Sequence, residues 1–293
     1  MAAPTSADLH GSVIVITGGN SGIGKEAAVG LAALGATVLI TSRNPEKGRA
    51  ALDEVRGRSG SDAVEVMALD LADFASIRAF SEAFHERFDR LDVLVNNAGG
   101  ILSERQVTAQ GFEMTFGVNH LGHFLLTDLL VDRLESSAPS RVVNVASLAH
   151  RLAVTGLNFS DLQSERRYQS MDVYGRSKLA NVLFTTELAR RLAGTGVTAN
   201  CLHPGAVATG FGSPDDTTGI ERFSMKLGRP FFISAEQGAR TIVYLAASPD
   251  VAGHSGGYYV RCHLRRASRH GRDPVAARQL WDASEALVER TSS

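Results

Sequence analysis

This chain of 293 residues lacks long apolar runs, paired cysteines and an excess of charge of either sign. No apolar run reaches about 18 residues, so the sequence predicts no segment that spans a membrane. The two cysteines, Cys201 and Cys262, form no CxxC pair, which excludes a disulfide framework and fits a reducing, cytoplasmic setting. The net charge of −1 comes from both signs spread along the chain, which argues against nucleic acid as a partner.

Apolar runs of strand length alternate with helical patterns along most of the chain. The runs lie at Val13–Ile16, Thr37–Thr41, Val64–Ala68, Leu91–Val95, Arg141–Val145, Val197–Leu202 and Gly257–Val260. Because these runs show no polar alternation and helical patterns follow them, they predict a parallel sheet covered on both faces. The helices are expected near 25–34, 45–56, 74–88, 112–134, 171–192 and 235–247.

The predicted fold class is therefore α/β, with a doubly wound, mostly parallel sheet of about seven strands and helices on both faces. No internal repeat or low-complexity linker divides the chain, so we expect a single domain over residues 11–260. A flexible tail should precede it at 1–10, and a basic extension at 261–293 should end in a helix.

A glycine-rich segment joins the first apolar run to the first helical pattern. Thr17–Gly24 has a GxxxGxG spacing counted from Gly18, which differs from the better-known GxGxxG fingerprint. Glycine permits positive φ and close backbone approach, and the free N–H groups of a helix N-terminus attract a pyrophosphate. The segment predicts a dinucleotide site, with a plain tight turn as the alternative. The residues expected to form it are Gly18, Asn20, Ser21, Gly22, Ile23 and Gly24.

The end of the second apolar run indicates which dinucleotide is bound. A carboxylate at this position would hold the ribose 2′-hydroxyl of NAD. The chain instead has Thr41-Ser42-Arg43-Asn44, and an arginine can pair with a 2′-phosphate that a carboxylate would repel. We therefore expect NADP(H) rather than NAD(H), with an ordinary surface role for Arg43 as the alternative.

Tyr174 and Lys178 are spaced to lie on the same helix face, with Cβ atoms roughly 5–6 Å apart. A free tyrosine, with a pKa of about 10, is a poor proton shuttle near neutral pH. A charge about 5 Å away supplies under about 1 kcal/mol in water, but about 3 kcal/mol at an effective dielectric of roughly 20. The lysine can therefore lower the tyrosine pKa only in a partly dry cleft. Taken alone, such a spacing is far more often a solvated helix face with an incidental tyrosine and lysine, so the rest of the chain must decide.

Further short segments come in a recognisable order, most of them just after predicted strands and one, at Asn119, within the helix predicted over 112–134. They are Asp70-Leu71, Asn96-Asn97-Ala98-Gly99, Asn119, Ser147, and Pro204-Gly205 followed by Val207 and Thr209. Together with the glycine-rich segment and the Tyr174–Lys178 pair, they resemble the short-chain dehydrogenase/reductase family over about residues 11–260. The resemblance implies a Rossmann-type fold and a small-molecule carbonyl or alcohol substrate. No metal ion is expected, because no carboxylate or cysteine lies at a ligand-like spacing from His120 and His123.

The resemblance also implies a role for each matching residue. Tyr174 would be the general acid or base, Ser147 would hydrogen-bond the substrate oxygen, and Lys178 would lower the pKa of Tyr174 and hold the nicotinamide ribose. Asn119 would support a water of a proton relay. The remaining cofactor contacts would come from Asp70 and Leu71 at the adenine, from Asn97, Ala98 and Gly99 beside the sheet, and from Pro204, Gly205, Val207 and Thr209 at the nicotinamide.

Within the family the chain is most similar to the retinol dehydrogenase-like group, through the runs 119–124, 147–150, 174–181 and 280–285. The implied reaction is NADP(H)-dependent hydride transfer between a carbonyl and a primary or secondary alcohol. The segment at about 205–234, rich in Gly, Pro and Phe, predicts a substrate loop with an apolar wall, and hence a lipophilic substrate that is retinoid-, steroid- or polyketide-like. Many members carry an N-terminal membrane anchor, which is not expected here.

Several alternatives remain open at this stage. The same cofactor site could serve a dehydratase or an epimerase, or a regulator that senses NADP(H) without turnover. The family commonly pairs through the helices at 112–134 and 171–192, which fits a homodimer or homotetramer unless the extension blocks them. Five arginines between Arg261 and Arg272 could meet an anionic surface, a second subunit or only solvent. His120, His123 and His203 are expected to pack or hydrogen-bond rather than bind metal.

Overall fold

Eight strands lie within the residues that the computed structural model describes, 7–206 and 233–289. They are β1 (Val13–Ile16), β2 (Thr37–Ser42), β3 (Val64–Ala68), β4 (Val93–Asn96), β5 (Ser140–Val145), β6 (Val197–His203), β7 (Tyr258–Val260) and β8 (His263–Arg265). They form one sheet in the order β3-β2-β1-β4-β5-β6-β7-β8, parallel except for β8, which is antiparallel to β7. The predicted doubly wound, mostly parallel sheet is confirmed, with one strand more than expected.

The additional strand forms because a two-residue turn reverses the chain after β7. Both turn residues, Arg261 and Cys262, have positive φ, at 51° and 64°. Positive φ at both positions is the geometry of a type I′ hairpin turn, which usually carries Asn-Gly or Asp-Gly. Neither dipeptide is present, so the sequence pattern predicts no strand after Val260. His263 and Arg265 are exposed on β8, and such polar side chains discourage pairing of this edge with another strand.

The helices cover both faces of the sheet, as predicted. They are α1 (Gly22–Ala32), α2 (Pro45–Ser59), α3 (Phe74–Arg87), α4 (Met114–Phe116), α5 (Gly122–Ser136), α6 (Ser170–Arg191), α7 (Ala235–Ala247) and α8 (Pro274–Glu289). The helices α3, α5, α6 and α8 pack on one face around Leu130 and Leu183. The helices α1, α2 and α7 pack on the other around Leu31 and Val55. Of the helices in the described ranges, none has the length and apolar character needed to cross a bilayer.

The helix predicted over 112–134 is correct in place but is not continuous. The buried Glu113 carboxylate accepts the N–H of Thr115 at 2.7 Å and that of Phe116 at 2.6 Å, and so caps α4. The chain then widens into a π-helical turn, Gly117–Leu121, before α5 begins. Such turns are frequent at functional sites. The hydrophobic pattern could not indicate this one, because the side chains buried in it include the polar Asn119 and His120.

The C-terminal helix α8 packs against α5 and α6 through an aromatic cluster. The Trp281 ring lies 4.9 Å from the Phe124 ring and 5.8 Å from the Phe184 ring, measured between centroids. The Arg191 guanidinium lies over Trp281 at 4.3 Å. The helix α8 therefore covers part of the helix pair through which the resemblance predicted association between chains.

Candidate active site

The candidate site lies at the carboxyl edge of the sheet, where the strand order reverses. β1 pairs with β2 on one side and with β4 on the other. Open α/β sheets bind their ligands in the crevice at such a switch point. Thr17, Asn97 and Ser147 closely follow β1, β4 and β5, and the parallel register brings them to this edge.

The glycine-rich turn after β1 has the geometry that an anion site needs. Gly18 and Gly22 have φ of +64° and +54°, a region that side chains other than glycine rarely adopt. Gly24 lets the Asn97 side chain pack closely against the turn, because a Cβ on residue 24 would lie 2.4 Å from the Asn97 Nδ2 atom. The helix α1 begins at Gly22, and Ser21 before it makes no side-chain capping hydrogen bond. The N–H groups of this first turn thus remain available to a ligand. Asn20 and Ile23 are half-buried in the same turn.

Thr17 ties the glycine-rich turn to the end of β4. Its Oγ1 accepts the N–H of Asn97 at 2.8 Å and that of Ala98 at 3.0 Å. The same oxygen lies 2.8 Å from Nε2 of His123, whose Nδ1 lies 3.2 Å from the Asn119 carbonyl oxygen. Burial lowers the pKa of His123 to about 3, so the ring is neutral at pH 7. The sequence pattern did not identify Thr17 or His123 as parts of the site, because only tertiary packing brings them together.

The asparagine after β4 is held firmly but is left with a free acceptor. Asn97 Nδ2 donates to the Thr17 carbonyl at 2.7 Å, whereas its Oδ1 is buried and has no hydrogen-bond partner. Buried polar atoms are almost always paired, so an orphan beside a glycine cradle marks a place for a ligand group. This atom and the uncapped α1 terminus together fit a bound dinucleotide.

The predicted adenosine side of the site lies at the ends of β2 and β3. Arg43 follows β2, is exposed, and forms no ion pair with any residue that the structure describes. Asn44, next in the chain, caps α2 by accepting the Lys47 N–H at 2.9 Å. Asp70 is half-buried and its carboxylate accepts the Ala72 N–H at 2.9 Å. The predicted Leu71 is buried beside it.

Tyr174, Ser147 and Lys178 meet beside this crevice. Tyr174 is half-buried on α6, and its phenol hydrogen-bonds the Ser147 side chain. The Lys178 Nζ lies 5.7 Å from the centroid of the Tyr174 ring and donates to the Val145 carbonyl at 3.1 Å. Only 3% of Lys178 is exposed, so the helix face is not a solvated one.

The protonation of this pair differs from the sequence-based expectation. We expected Lys178 to lower the pKa of Tyr174, but burial raises the pKa of Tyr174 to about 12, opposed only by the Ser147 hydrogen bond. Burial also lowers the pKa of Lys178 to about 8. Both shifts have the same cause, since removal from water disfavours whichever form carries charge. At pH 7 the phenol is therefore protonated and the lysine remains largely charged.

Asn119 lies in the π-helical turn, next to Lys178. Its Oδ1 accepts the Gly100 N–H at 2.9 Å, and its Nδ2 donates to the Gly100 carbonyl and to Ser177 Oγ, both at 2.9 Å. Gly99 packs closely here, because a Cβ on it would lie 2.7 Å from Asn119 Oδ1 and 3.3 Å from Lys178 Nζ. The structure thus brings Gly99, predicted as a cofactor contact, against two predicted catalytic residues.

His120 and the arginines after β7 lie outside this cluster. His120 packs against Phe116, Phe124 and Phe184, and its Nε2 lies 2.8 Å from Ser284 Oγ. Within the described ranges there is no group of three or more His, Cys, Asp or Glu side chains placed to hold a metal ion. None of the arginines between 261 and 272 forms an ion pair with a described residue.

The nicotinamide side of the predicted site is described only in part. Pro204 and Gly205 follow β6, and Gly205 has φ of +106°. Val207 and Thr209 lie outside the described residues. So does most of the segment at 205–234 that predicted an apolar wall.

Comparison with known proteins gives consistent matches over most of the chain. The short chain dehydrogenase family matches residues 12–218. Retinol dehydrogenase 12 of Mus musculus is 46% identical over 97% of this chain and 88% of its own length. A solved structure of a protein from Mycobacterium Paratuberculosis is 34% identical, with a TM-score of 0.76 over 97% of this chain and 96% of that one. The RhlG/NADP active-site complex of Pseudomonas aeruginosa is 26% identical, with a TM-score of 0.68 over 86% of this chain and 95% of that one.

Proposed function

The chain belongs to the short-chain dehydrogenase family, and from that premise we propose that it is an NADP(H)-dependent oxidoreductase of a lipophilic carbonyl or alcohol. The observation that carries the proposal is the Tyr174 phenol, hydrogen-bonded by Ser147 and flanked by the buried Lys178. These three side chains lie at the carboxyl edge of the sheet, and Gly99 and Ala98 connect Lys178 to the glycine-rich turn after β1.

A bound nicotinamide dinucleotide would supply the carbon that gives or takes the hydride. The glycine-rich turn and the first turn of α1 would bind its pyrophosphate through backbone N–H groups. Lys178 would hold the nicotinamide ribose. The other contacts proposed for this cofactor are Asp70, Leu71, Asn97, Ala98, Gly99, Tyr174, Pro204, Gly205, Val207 and Thr209.

The protonation states favour Tyr174 as an acid. With a pKa of about 12 the phenol carries its proton at pH 7 and can deliver it to a carbonyl oxygen that is being reduced. Ser147 would donate a hydrogen bond to the same oxygen and stabilise its developing charge. Lys178 would stabilise the phenolate that remains, and Asn119 would hold a water that returns the proton.

Arg43 carries the preference for NADP(H). It is exposed at the end of β2 without an ion pair among the described residues, where a 2′-phosphate could pair with it. The NADP complex of the Pseudomonas aeruginosa relative supports the same choice. The lipophilic substrate class is supported by the apolar composition of 205–234 and by the retinol named for the mouse relative.

The catalytic assignment is tested with Tyr174→Phe, assayed with NADPH and a reactive diketone. Loss of a positioned acid should lower kcat by about 10²–10⁴-fold. NADPH affinity, from fluorescence titration, should stay within about twofold of wild type. Tyr244→Phe, on the opposite face of the sheet, is the matched control and should turn over normally. Wild-type turnover by Tyr174→Phe would reject the assignment, and binding without turnover across a broad carbonyl panel would indicate a sensor.

The cofactor assignment is tested separately with Arg43→Ala. Hydrogen bonds to charged groups contribute about 1.5–3 kcal/mol, so NADPH affinity should fall about tenfold or more. NADH affinity should change little, and Arg49→Ala, which removes an exposed arginine of α2, serves as the control. Tighter binding of NADH than of NADPH to the wild type would contradict the preference.

A further inference from the structure

The buried ring of His150 bridges Ser147 to the chain segment after β8. Its Nδ1 lies 2.6 Å from the Ser147 carbonyl oxygen, and its Nε2 accepts the Ser268 N–H at 3.0 Å. The ring is fully buried and meets Tyr258 edge to face, with the centroids 5.0 Å apart. This side chain is not a part of the proton chemistry proposed above.

The hydrogen bonds leave one tautomer for the ring. A backbone N–H can only donate, so Nε2 must be the unprotonated acceptor for Ser268. Nδ1 then carries the proton and donates it to the Ser147 carbonyl. Burial lowers the pKa of His150, which keeps the ring neutral.

A second histidine holds the other side of the same peptide bond. The Leu148 N–H donates to Nδ1 of His203 at 3.1 Å. The Ser147 carbonyl and the Leu148 N–H belong to one peptide plane, so two imidazole rings fix the orientation of that plane. This plane follows Ser147 directly, so its orientation fixes the carbonyl carbon next to the Ser147 Cα and, with it, the direction of the side chain whose hydroxyl meets Tyr174.

We propose that His150 is a positioning residue. It aligns Ser147 for catalysis by donating to the Ser147 carbonyl while its ring is itself held by the Ser268 N–H. The inference rests on the proposed function, since it concerns the serine assigned there to the substrate oxygen. It also gives the segment after β8 a role at the catalytic centre, because that segment supplies the donor that selects the tautomer.

Three substitutions separate the two hydrogen bonds. In His150→Asn the amide Nδ2 takes the place of the ring Nδ1 and can still donate to Ser147. In His150→Gln the longer amide reaches the place of Nε2 and can still accept from Ser268. His150→Leu makes neither bond. We expect kcat to fall by about 10- to 100-fold in the Leu and Gln variants and to be largely retained in Asn, since small misplacements at a reacting centre cost up to about 10²-fold.

A purely structural role is distinguished by a double substitution and by a matched control. If His150 acts through Ser147, His150→Leu should cost little further in kcat once Ser147→Ala has removed the hydroxyl. The inference would be overturned if the double variant lost kcat by the product of the two single losses. A kcat of His150→Leu within twofold of wild type would also overturn it. His120→Leu removes another buried histidine and should lower the melting temperature without lowering kcat. NADPH affinity should be unchanged in all these variants.

The closing experiment requires no turnover. Nitrogen NMR of the wild type should show His150 as the Nδ1–H tautomer, and hydrogen exchange should show protection of the Ser268 amide that is lost in His150→Leu and kept in His150→Gln. An Nε2–H tautomer, or no change in exchange at Ser268, would refute the bridge whatever the reaction is. Wild-type turnover by Ser147→Ala would instead remove the proposed function while leaving the bridge intact.

Discussion

The candidate site has a cofactor side and a catalytic side, and the two use different kinds of chemical group. The cofactor side consists mainly of backbone, namely glycines with positive φ and an uncapped helix terminus, to which the exposed Arg43 adds one side chain. The catalytic side consists of buried polar side chains, among them Lys178, Asn119 and His150, each held by hydrogen bonds. An anion can be bound by peptide dipoles, whereas proton transfer needs particular atoms at fixed positions. The catalytic side is therefore the side on which polar groups are buried at a cost in stability.

Among the substitutions that compare the two sides, the largest effect should follow from removing the buried charge of the catalytic side. Lys178 Nζ lies 5.7 Å from the Tyr174 ring centroid, and at an effective dielectric of roughly 20 a charge at this distance contributes about 3 kcal/mol. In steady-state assays, Lys178→Met should therefore lower kcat by about 100-fold. A wild-type kcat would show that the charge does not stabilise the phenolate.

The same substitution should stabilise the fold. The pKa of Lys178 is about 8 in the folded chain against an ordinary 10.5, a difference worth about 3 kcal/mol. The unfolded chain keeps the lysine proton up to the higher value. The free energy of unfolding of the wild type therefore rises between pH 8 and pH 10.5, and below pH 8 it is reduced by the full difference of about 3 kcal/mol. Lys178→Met should thus melt higher than wild type at pH 7, and its advantage should disappear towards pH 10.5. A lower melting temperature at pH 7 would contradict this account.

Gly24→Ala tests the cofactor side. A Cβ there would lie 2.4 Å from Asn97 Nδ2 and 2.6 Å from the Gly18 carbonyl oxygen, and such overpacking costs about 1–3 kcal/mol. In fluorescence titration the Kd for NADPH should rise by about tenfold or more as the turn is displaced. Gly57→Ala in α2, where a Cβ meets nothing within 4 Å, should leave the Kd unchanged.

Gly99→Ala tests the boundary between the two sides. Its Cβ would press on Asn119 Oδ1 and Lys178 Nζ rather than on the turn, so it should lower kcat by about fivefold to tenfold, at the lower end of overpacking costs. The Kd for NADPH should change less than in Gly24→Ala. If both glycine variants change only the Kd, the separation between the two sides is wrong.

The smallest effect should come from His120, which lies behind the catalytic side and takes no part in it. Burial lowers the pKa of His120 to about 3 from an ordinary 6.5. The unfolded chain therefore gains a proton first as the pH falls below 6.5, and the wild type loses stability there. His120→Phe should gain about 2 kcal/mol relative to wild type between pH 7.5 and pH 5 in denaturant titrations, with kcat unchanged. An advantage that does not grow on acidification would show that His120 is not held neutral.

Much of the fold and part of the site could be predicted from sequence. The apolar runs place the strands, and Gly18, Asn97, Ser147 and Tyr174 follow from motifs at strand and helix positions. The missed features have different causes. The hairpin turn at Arg261 and Cys262 lacks the usual Asn-Gly or Asp-Gly, and the π-helical turn lies inside a helical pattern that looks continuous. The hydrogen bonds from Ser268 to His150 and from Leu148 to His203 join residues 118 and 55 positions apart, so no local spacing indicates them.

The amino-acid sequence by itself determined the order of strands and helices, the glycine geometry of the turn, and the presence of a phenol, an ammonium and a hydroxyl at the sheet edge. These are local properties, set by hydrophobic periodicity, by backbone freedom and by residue type. Only the tertiary structure decided the protonation of Tyr174 and Lys178, because burial is a property of everything packed around a group. It also decided that Ser268 anchors the His150 ring and that His203 accepts from Leu148, since a hydrogen bond between distant segments exists only once the chain has folded.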